Sequence, residues 1–218
     1  MGVSLDVTPR KRAEARQITL IAKLNHRVKN TLASVQSIAL QTSMGAQNPK
    51  EFLTAFDGRI QALVRAHDLL TANAWQGAKL EDGINRTLAP YVVKKGVGPQ
   101  VKIAGPLIRL SSEAAVTLHM AFHELATNAA KYGALSTADG ALAVDWKLDH
   151  ATSPATIEII WTEQGGPPVA LPSRRGFGSN LLEIGLAQEF GGATKLRIEP
   201  TGLICEMRFA FSAKFEAP

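Results

Sequence analysis

A histidine on a polar helix face, an acid and an amide one helical turn apart, and two glycine-rich turns are the groups in this sequence whose types and spacing could do chemistry. His26 stands in Leu24-Asn25-His26-Arg27-Val28-Lys29-Asn30-Thr31-Leu32. On a helical wheel it falls about 150° from the centre of the apolar stripe, on a face shared with Lys23, Asn30 and Ser37. A core histidine would sit on the opposite side, which leaves an ordinary surface side chain or a nucleophile. With an unperturbed pKa of about 6.5, an exposed imidazole is a competent nucleophile near neutral pH.

The second group is His123-Glu124-Leu125-Ala126-Thr127-Asn128-Ala129-Ala130-Lys131-Tyr132-Gly133. Glu124 and Asn128 are one helical turn apart and present two oxygens to one side, with Lys131 within a turn of both. Hard oxygen ligands suit Mg²⁺, and a lysine beside that ion could hold a phosphate. Acid, amide and base at this spacing can also mark nothing more than a solvated face. Flanking Leu125, Ala129 and Ala130 predict partial burial, which makes so many polar groups less idle. Third and fourth come Trp161-Thr162-Glu163-Gln164-Gly165-Gly166 at a strand end and Arg175-Gly176-Phe177-Gly178 before a helix. Glycines let a backbone approach a ligand closely, and a helix start offers free N–H groups to phosphate oxygens. His119 and His123, four apart, could bind zinc, but the metallopeptidase pattern needs a histidine where Thr127 stands.

The elements that must hold these groups are legible in the periodicity. Ile21, Leu24, Val28, Leu32, Val35 and Ala39 make one stripe of a helix running from Arg10 to about Met44. Gly45 to Pro49 break it, with Asn48 as N-cap and Pro49 as first residue of a second helix to about Ala74. Phe52, Phe56, Ile60, Leu63 and Leu70 line the core side of that helix. A single helical hairpin cannot cover its own apolar face, so it should pair with another copy or with the rest of the chain. Beyond Gly77 the texture is mixed. Helices are predicted at 80–93, from Ser111 or Ser112 to Tyr132, and at 179–190. Strands are predicted at 100–104, 107–110, 141–149, 155–161, 194–199 and 202–211, giving antiparallel strands with helices on one side, an α+β sandwich.

Composition narrows the classes. Hydrophobic residues make up 45% and charged residues 20%, a globular profile. The net charge of +5 is local: residues 1–30 hold seven Lys or Arg against two acids, and the remainder balances at 17 of each. With no aromatic residues interleaved, a nucleic-acid face is disfavoured. No apolar run is long enough for membrane insertion, and the charged start points to a cytoplasmic chain. The single Cys205, in an apolar run, reads as a buried thiol.

Taken together, the four boxes resemble those of the HWE-type sensor histidine kinases, named for a histidine in the asparagine-containing box and a Trp-x-Glu motif. His123, Trp161 and Glu163 are the matching residues, His26 through Asn30 resemble the phosphoacceptor box, and Gly176-Phe177-Gly178 the second glycine box. The resemblance covers about residues 15–211, with the boxes in the family's order. It implies a two-helix hairpin, half of a four-helix bundle, at 15–77 for dimerisation and phosphotransfer, and a Bergerat (GHKL) ATP-binding sandwich at 78–213. It further implies ATP and Mg²⁺ as cofactors, a homodimer through the hairpin, and a response-regulator receiver domain as partner. His26 would take the phosphoryl group, and Asn128 would ligate Mg²⁺ with help from Glu124. Lys131 and Tyr132 would flank the nucleotide, Glu163 would meet the adenine amine, and Trp161, Gly165, Gly166, Gly176 and Gly178 would shape the pocket and lid.

Commoner histidine kinases follow the phosphoacceptor with an acid, whereas Arg27 follows here, so His123 and Glu124 become the candidates for accepting the His26 proton. Residues 1–14 resemble the last strand and exit linker of a PAS domain lying upstream. The rival from another class is a non-catalytic nucleotide-binding module that docks a regulator.

Overall fold

The computed structural model describes residues 8–72, 78–92, 98–168, 177–199 and 201–216. Two helices open it, α1 (Thr8–Gly45) and α2 (Pro49–Ala72). Their turn is built as its residue types dictate. Asn48 Oδ1 accepts from the Glu51 N–H at 2.9 Å, and Glu51 Oε2 reaches back to the Gln47 N–H at 2.9 Å, a reciprocal capping arrangement. The PAS-like strand falls on residues 1–7, outside the described residues, and Thr8 is already helical.

The sandwich follows, with β1 (Ala78–Lys79), α3 (Leu80–Leu88), β2 (Gln100–Ala104), β3 (Arg109–Leu110) and α4 (Ser112–Tyr132). A 3₁₀ turn (Ala134–Ser136), β4 (Ala141–Asp149) and β5 (Thr156–Gln164) come next. After α5 (Phe177–Asn180), a π turn (Leu181–Gly185) and α6 (Leu186–Phe190), the chain ends in β6 (Gly192–Glu199), β7 (Gly202–Ala210) and β8 (Phe215–Glu216). Helix α3 stops short of the predicted 93 because Pro90 cannot continue it. Strand β5 outruns the predicted 161, its register with β4 holding from Thr156 to Gln164.

The main sheet has five strands in the order β2-β4-β5-β7-β6, and a small sheet pairs β1-β3-β8. The expectation of purely antiparallel pairing is corrected at one edge, where β2 runs parallel to β4. The chain between them includes α4, the long crossover that a parallel pair requires. Along β5, Ile157, Ile159, Trp161 and Glu163 turn inward beneath the helices, joined by Val144 and Trp146 of β4 and Cys205 and Met207 of β7. On the outer face Glu158 is gripped by Lys147 and Arg208 at 2.6 Å each, which holds its carboxyl below the usual range.

The hairpin lies against the sandwich. Ile38 of α1 and Ala62 and Leu63 of α2 form a small core with Met120 of α4 and Phe177 of α5. Only an edge of the α1 stripe is used: the buried line through Val35, Ile38 and Thr42 lies about 50° round from the stripe centre. Ile21, Leu24, Val28 and Leu32 remain between 51% and 62% exposed. Among the described residues no helix is long and apolar enough to cross a membrane.

His119 is enclosed between α3 and α4. Thr87 Oγ1 donates to the Gly83 carbonyl at 2.9 Å, so His119 Nδ1–H is the donor in its 3.1 Å contact with that hydroxyl, and Nε2 has no hydrogen-bond partner among the described residues. Burial lowers the His119 pKa from 6.5 to about 4; His123, Arg65 and Arg86 add to the effect and a contact with the Gly83 carbonyl opposes it. The unfolded chain therefore takes this proton first as pH falls. The stability owed to neutral His119 is whole above its unfolded pKa of 6.5 and is lost as pH drops towards about 4. The full span amounts to about 3 kcal/mol. Urea midpoints should fall across this window, and His119→Leu should flatten the slope; equal slopes would remove His119 as the cause.

Candidate functional site

Helix α4 carries most of the polar groups singled out in the sequence. Ser111 caps it, its Oγ accepting from the Ala114 N–H at 3.3 Å, and the Gly133 N–H closes its far end on the Ala129 carbonyl at 3.0 Å. The side chains it carries part company in environment. Glu124 is buried, while Asn128, Lys131 and Tyr132 are exposed along the last turns.

Glu124 is already engaged. Arg59, from α2, reaches its carboxylate with two parallel bonds, Nε to Oε1 at 2.9 Å and Nη2 to Oε2 at 3.0 Å. Nη1 donates to Thr42 Oγ1 on α1 at 2.9 Å, and the guanidinium carbon lies 4.3 Å from the centroid of the Phe177 ring. A Cβ on Gly178 would come within 3.1 Å of Glu124 Oε2, so glycine lets the start of α5 close on the same carboxylate. In this arrangement Glu124 is therefore held by Arg59 rather than presented with Asn128 to one ion. Nothing in the sequence around Arg59 marks it; its partner lies 65 residues away.

His123, the other candidate proton acceptor, is half-buried on α4, which packs against α2. Burial lowers its pKa; Glu124 pulls the other way, and Arg65 and Arg59 push it down further. Both candidates thus face the hairpin. A cavity of about 510 Å³ opens between the helix turn and the end of α4, with Lys50, Arg59, Lys131 and Phe177 in its wall.

The Trp-x-Glu pair is buried at the end of β5. Trp161 Nε1 donates to Glu163 Oε1 at 2.9 Å, and the Ala134 N–H donates to Oε2 at 3.1 Å. Burial raises the Glu163 pKa, and those two donors partly offset it. The carboxylate thus ties the turn after α4 to the sheet. Close packing continues through the glycines. A Cβ on Gly133 would overlap Glu163 Oε2, and one on Gly166 would sit 2.6 Å from the Gly133 carbonyl carbon. Gly165, at φ +71°, is in the left-handed region. Gly165 and Gly166 therefore seat the strand end against the helix turn. Gly176 lies outside the described residues.

His26 is exposed on α1, and Asn30 Nδ2 lies 3.4 Å from its Nδ1. Sixteen residues separate it from Thr42, about 24 Å along the helix axis. The structure brings Glu124, His123 and Gly178 together and leaves His26 far from them. His67 meets Thr31 at 3.5 Å between the two hairpin helices, and Cys205 is fully buried, its thiol pushed up to about 12.

The architecture around this site is a helical hairpin followed by a mixed sheet with helices on one face. Residues 23–107 match the family model of the HWE histidine kinases. It is 36% identical over 207 residues to a blue-light-activated histidine kinase of Brucella anthropi, covering 95% of this chain and 42% of that protein. The corresponding protein of Brucella melitensis matches to the same extent. The chain thus spans about two-fifths of the length of these curated relatives. The blue-light activated histidine kinase of Erythrobacter litoralis shares the fold at a TM-score of 0.57 and 16% identity, over 88% of this chain and 59% of that one.

Proposed function

We propose that this chain is an ATP-dependent protein histidine kinase core that phosphorylates His26 and passes the group to an aspartate of a response-regulator receiver domain. The observation that carries the proposal is an exposed imidazole on a helical hairpin joined to a sandwich whose α4 carries Glu124, Asn128 and Lys131. The donor set fits its implied cofactors. Asn128 offers an exposed amide oxygen, Glu124 a carboxylate once Arg59 leaves it, and Lys131 a cation one turn on. Asn128 and Glu124 would hold Mg²⁺, which supplies charge neutralisation at the phosphates. Lys131 and Tyr132 would flank the nucleotide. Glu163, each of whose oxygens keeps a second acceptor direction, would take the adenine amine.

In the transfer, a bond forms from an imidazole nitrogen of His26 to phosphorus as the bond to the ADP oxygen breaks, and the ring proton passes to His123 or Glu124. An Asn30 amide turned to put Oδ1 against Nδ1–H would leave Nε2 with its lone pair free for this attack. Residues 15–77 form the phosphotransfer unit and 78–213 the ATP-binding unit. Residues 1–14 belong to the end of an upstream PAS domain. The exposed stripe Ile21, Leu24, Val28 and Leu32 supports dimerisation of a cytoplasmic protein through the hairpin, because a second copy would cover it.

Incubation with γ-labelled ATP and Mg²⁺ tests the proposal. Label that is lost in acid and kept in base is expected. A chain that binds ATP yet stays unlabelled would instead be a docking module.

A further inference from the structure

The hairpin does not merely rest on the sandwich; it engages the residues that the kinase reading needs. Arg59 takes both oxygens of Glu124, stacks on Phe177 and bonds Thr42. These contacts join the asparagine-box helix, the second glycine box and both hairpin helices at one guanidinium. Its side chain is 16% exposed and that of Glu124 is 8% exposed, so the pair is largely withdrawn from water. Removing one partner of such a pair leaves an uncompensated charge, so Arg59 leaves Glu124 readily only where another cation replaces it. The same arrangement keeps His26 about 24 Å along α1 from Thr42, out of reach of the α4 site.

We propose that Arg59 is an internal latch: it holds the Glu124 carboxylate where a magnesium-bound nucleotide would compete for it, so that docking of the hairpin and binding of Mg·ATP exclude one another. This rests on the kinase reading above and adds its regulation. An arginine is suited to the part because its planar fork satisfies both carboxylate oxygens at once, so that when it leaves, both become available together. The ligand draws the latch by binding only the released form, and its apparent affinity is reduced by the fraction of chain that is released.

The test uses the full chain. A non-hydrolysable ATP analogue with Mg²⁺ should bind Arg59→Gln about tenfold more tightly than the unaltered chain, with Arg59→Lys between them. The initial rate of His26 labelling should rise in the same order. Hydrogen exchange on the unaltered chain supplies a readout independent of any variant's folding. Peptides spanning 35–45 and 55–66 should lose protection when Mg²⁺ and the analogue are added together, and not with either alone. Equal affinities in all three chains, or unchanged protection, would overturn the latch. Loss of labelling in Arg59→Gln with binding retained would also overturn it, placing Arg59 in the transfer step. No binding by any chain would remove the kinase reading and the latch with it, whereas binding and labelling without competition remove the latch alone.

Discussion

Replacing His26 by alanine should abolish the acid-labile label while leaving nucleotide binding and the melting temperature as they were. The side chain is exposed and bonds Asn30 on the same helix, so its removal costs no packing; surface changes of this kind stay within about 0.5 kcal/mol. Asn128→Ala, run beside it, should behave differently. Asn128 is also exposed, so the fold should again be intact. Labelling should nonetheless fall by about 10²–10³, the usual loss when one group that stabilises developing charge is removed. Raising the Mg²⁺ concentration should recover part of the loss in Asn128→Ala and none in His26→Ala. Label that persists in His26→Ala would place the phosphoacceptor elsewhere. An undiminished rate in Asn128→Ala would detach the exposed end of α4 from the nucleotide.

Trp161→Ala is expected to cost about 3–5 kcal/mol, the range for emptying a fully buried aromatic site. Trp161 has no exposed surface, and its Nε1 supplies one of the two donors to Glu163. Against a total of about 5–15 kcal/mol for an ordinary domain, that loss approaches the limit of folding. Glu163→Gln is the milder companion. A glutamine offers one acceptor oxygen where the site has two donors, Trp161 Nε1 and the Ala134 N–H, so one donor meets an NH₂ group, at a cost of about 1–3 kcal/mol. Urea midpoints should fall in both with unchanged slopes. The double variant should cost less than the sum, because without the indole N–H only the Ala134 donor is left to claim the single glutamine oxygen. Strict additivity would refute the brace. An activity defect in Glu163→Gln with full stability would favour a direct role at the nucleotide.

Local signals fixed the elements. Asn48-Pro49 begins α2, Ser111 caps α4, and the alternation Ile157, Ile159, Trp161 and Glu163 writes out a strand, because capping and side-chain period act over a few residues. The four polar and glycine-rich boxes were equally legible as motifs, since residue type and spacing are local. What α4 and β5 do with those boxes was not. The resemblance gives Glu163 to the adenine amine, and nothing local shows that its carboxylate also bonds Trp161 and Ala134. Glu124 looked like half of a metal site, and it is bonded to Arg59. The α1 stripe called for a cover from another copy or from the rest of the chain, and the sandwich covers only its edge. Each outcome depends on which distant segment reaches a side chain first, and contacts across dozens of residues leave no periodicity to read. The sequence therefore determined which groups could handle a phosphoryl transfer. The tertiary structure alone decided that, with the hairpin docked, an arginine holds one of them and the imidazole stands far away, because a charge leaving water takes whichever opposite charge the packing brings to it.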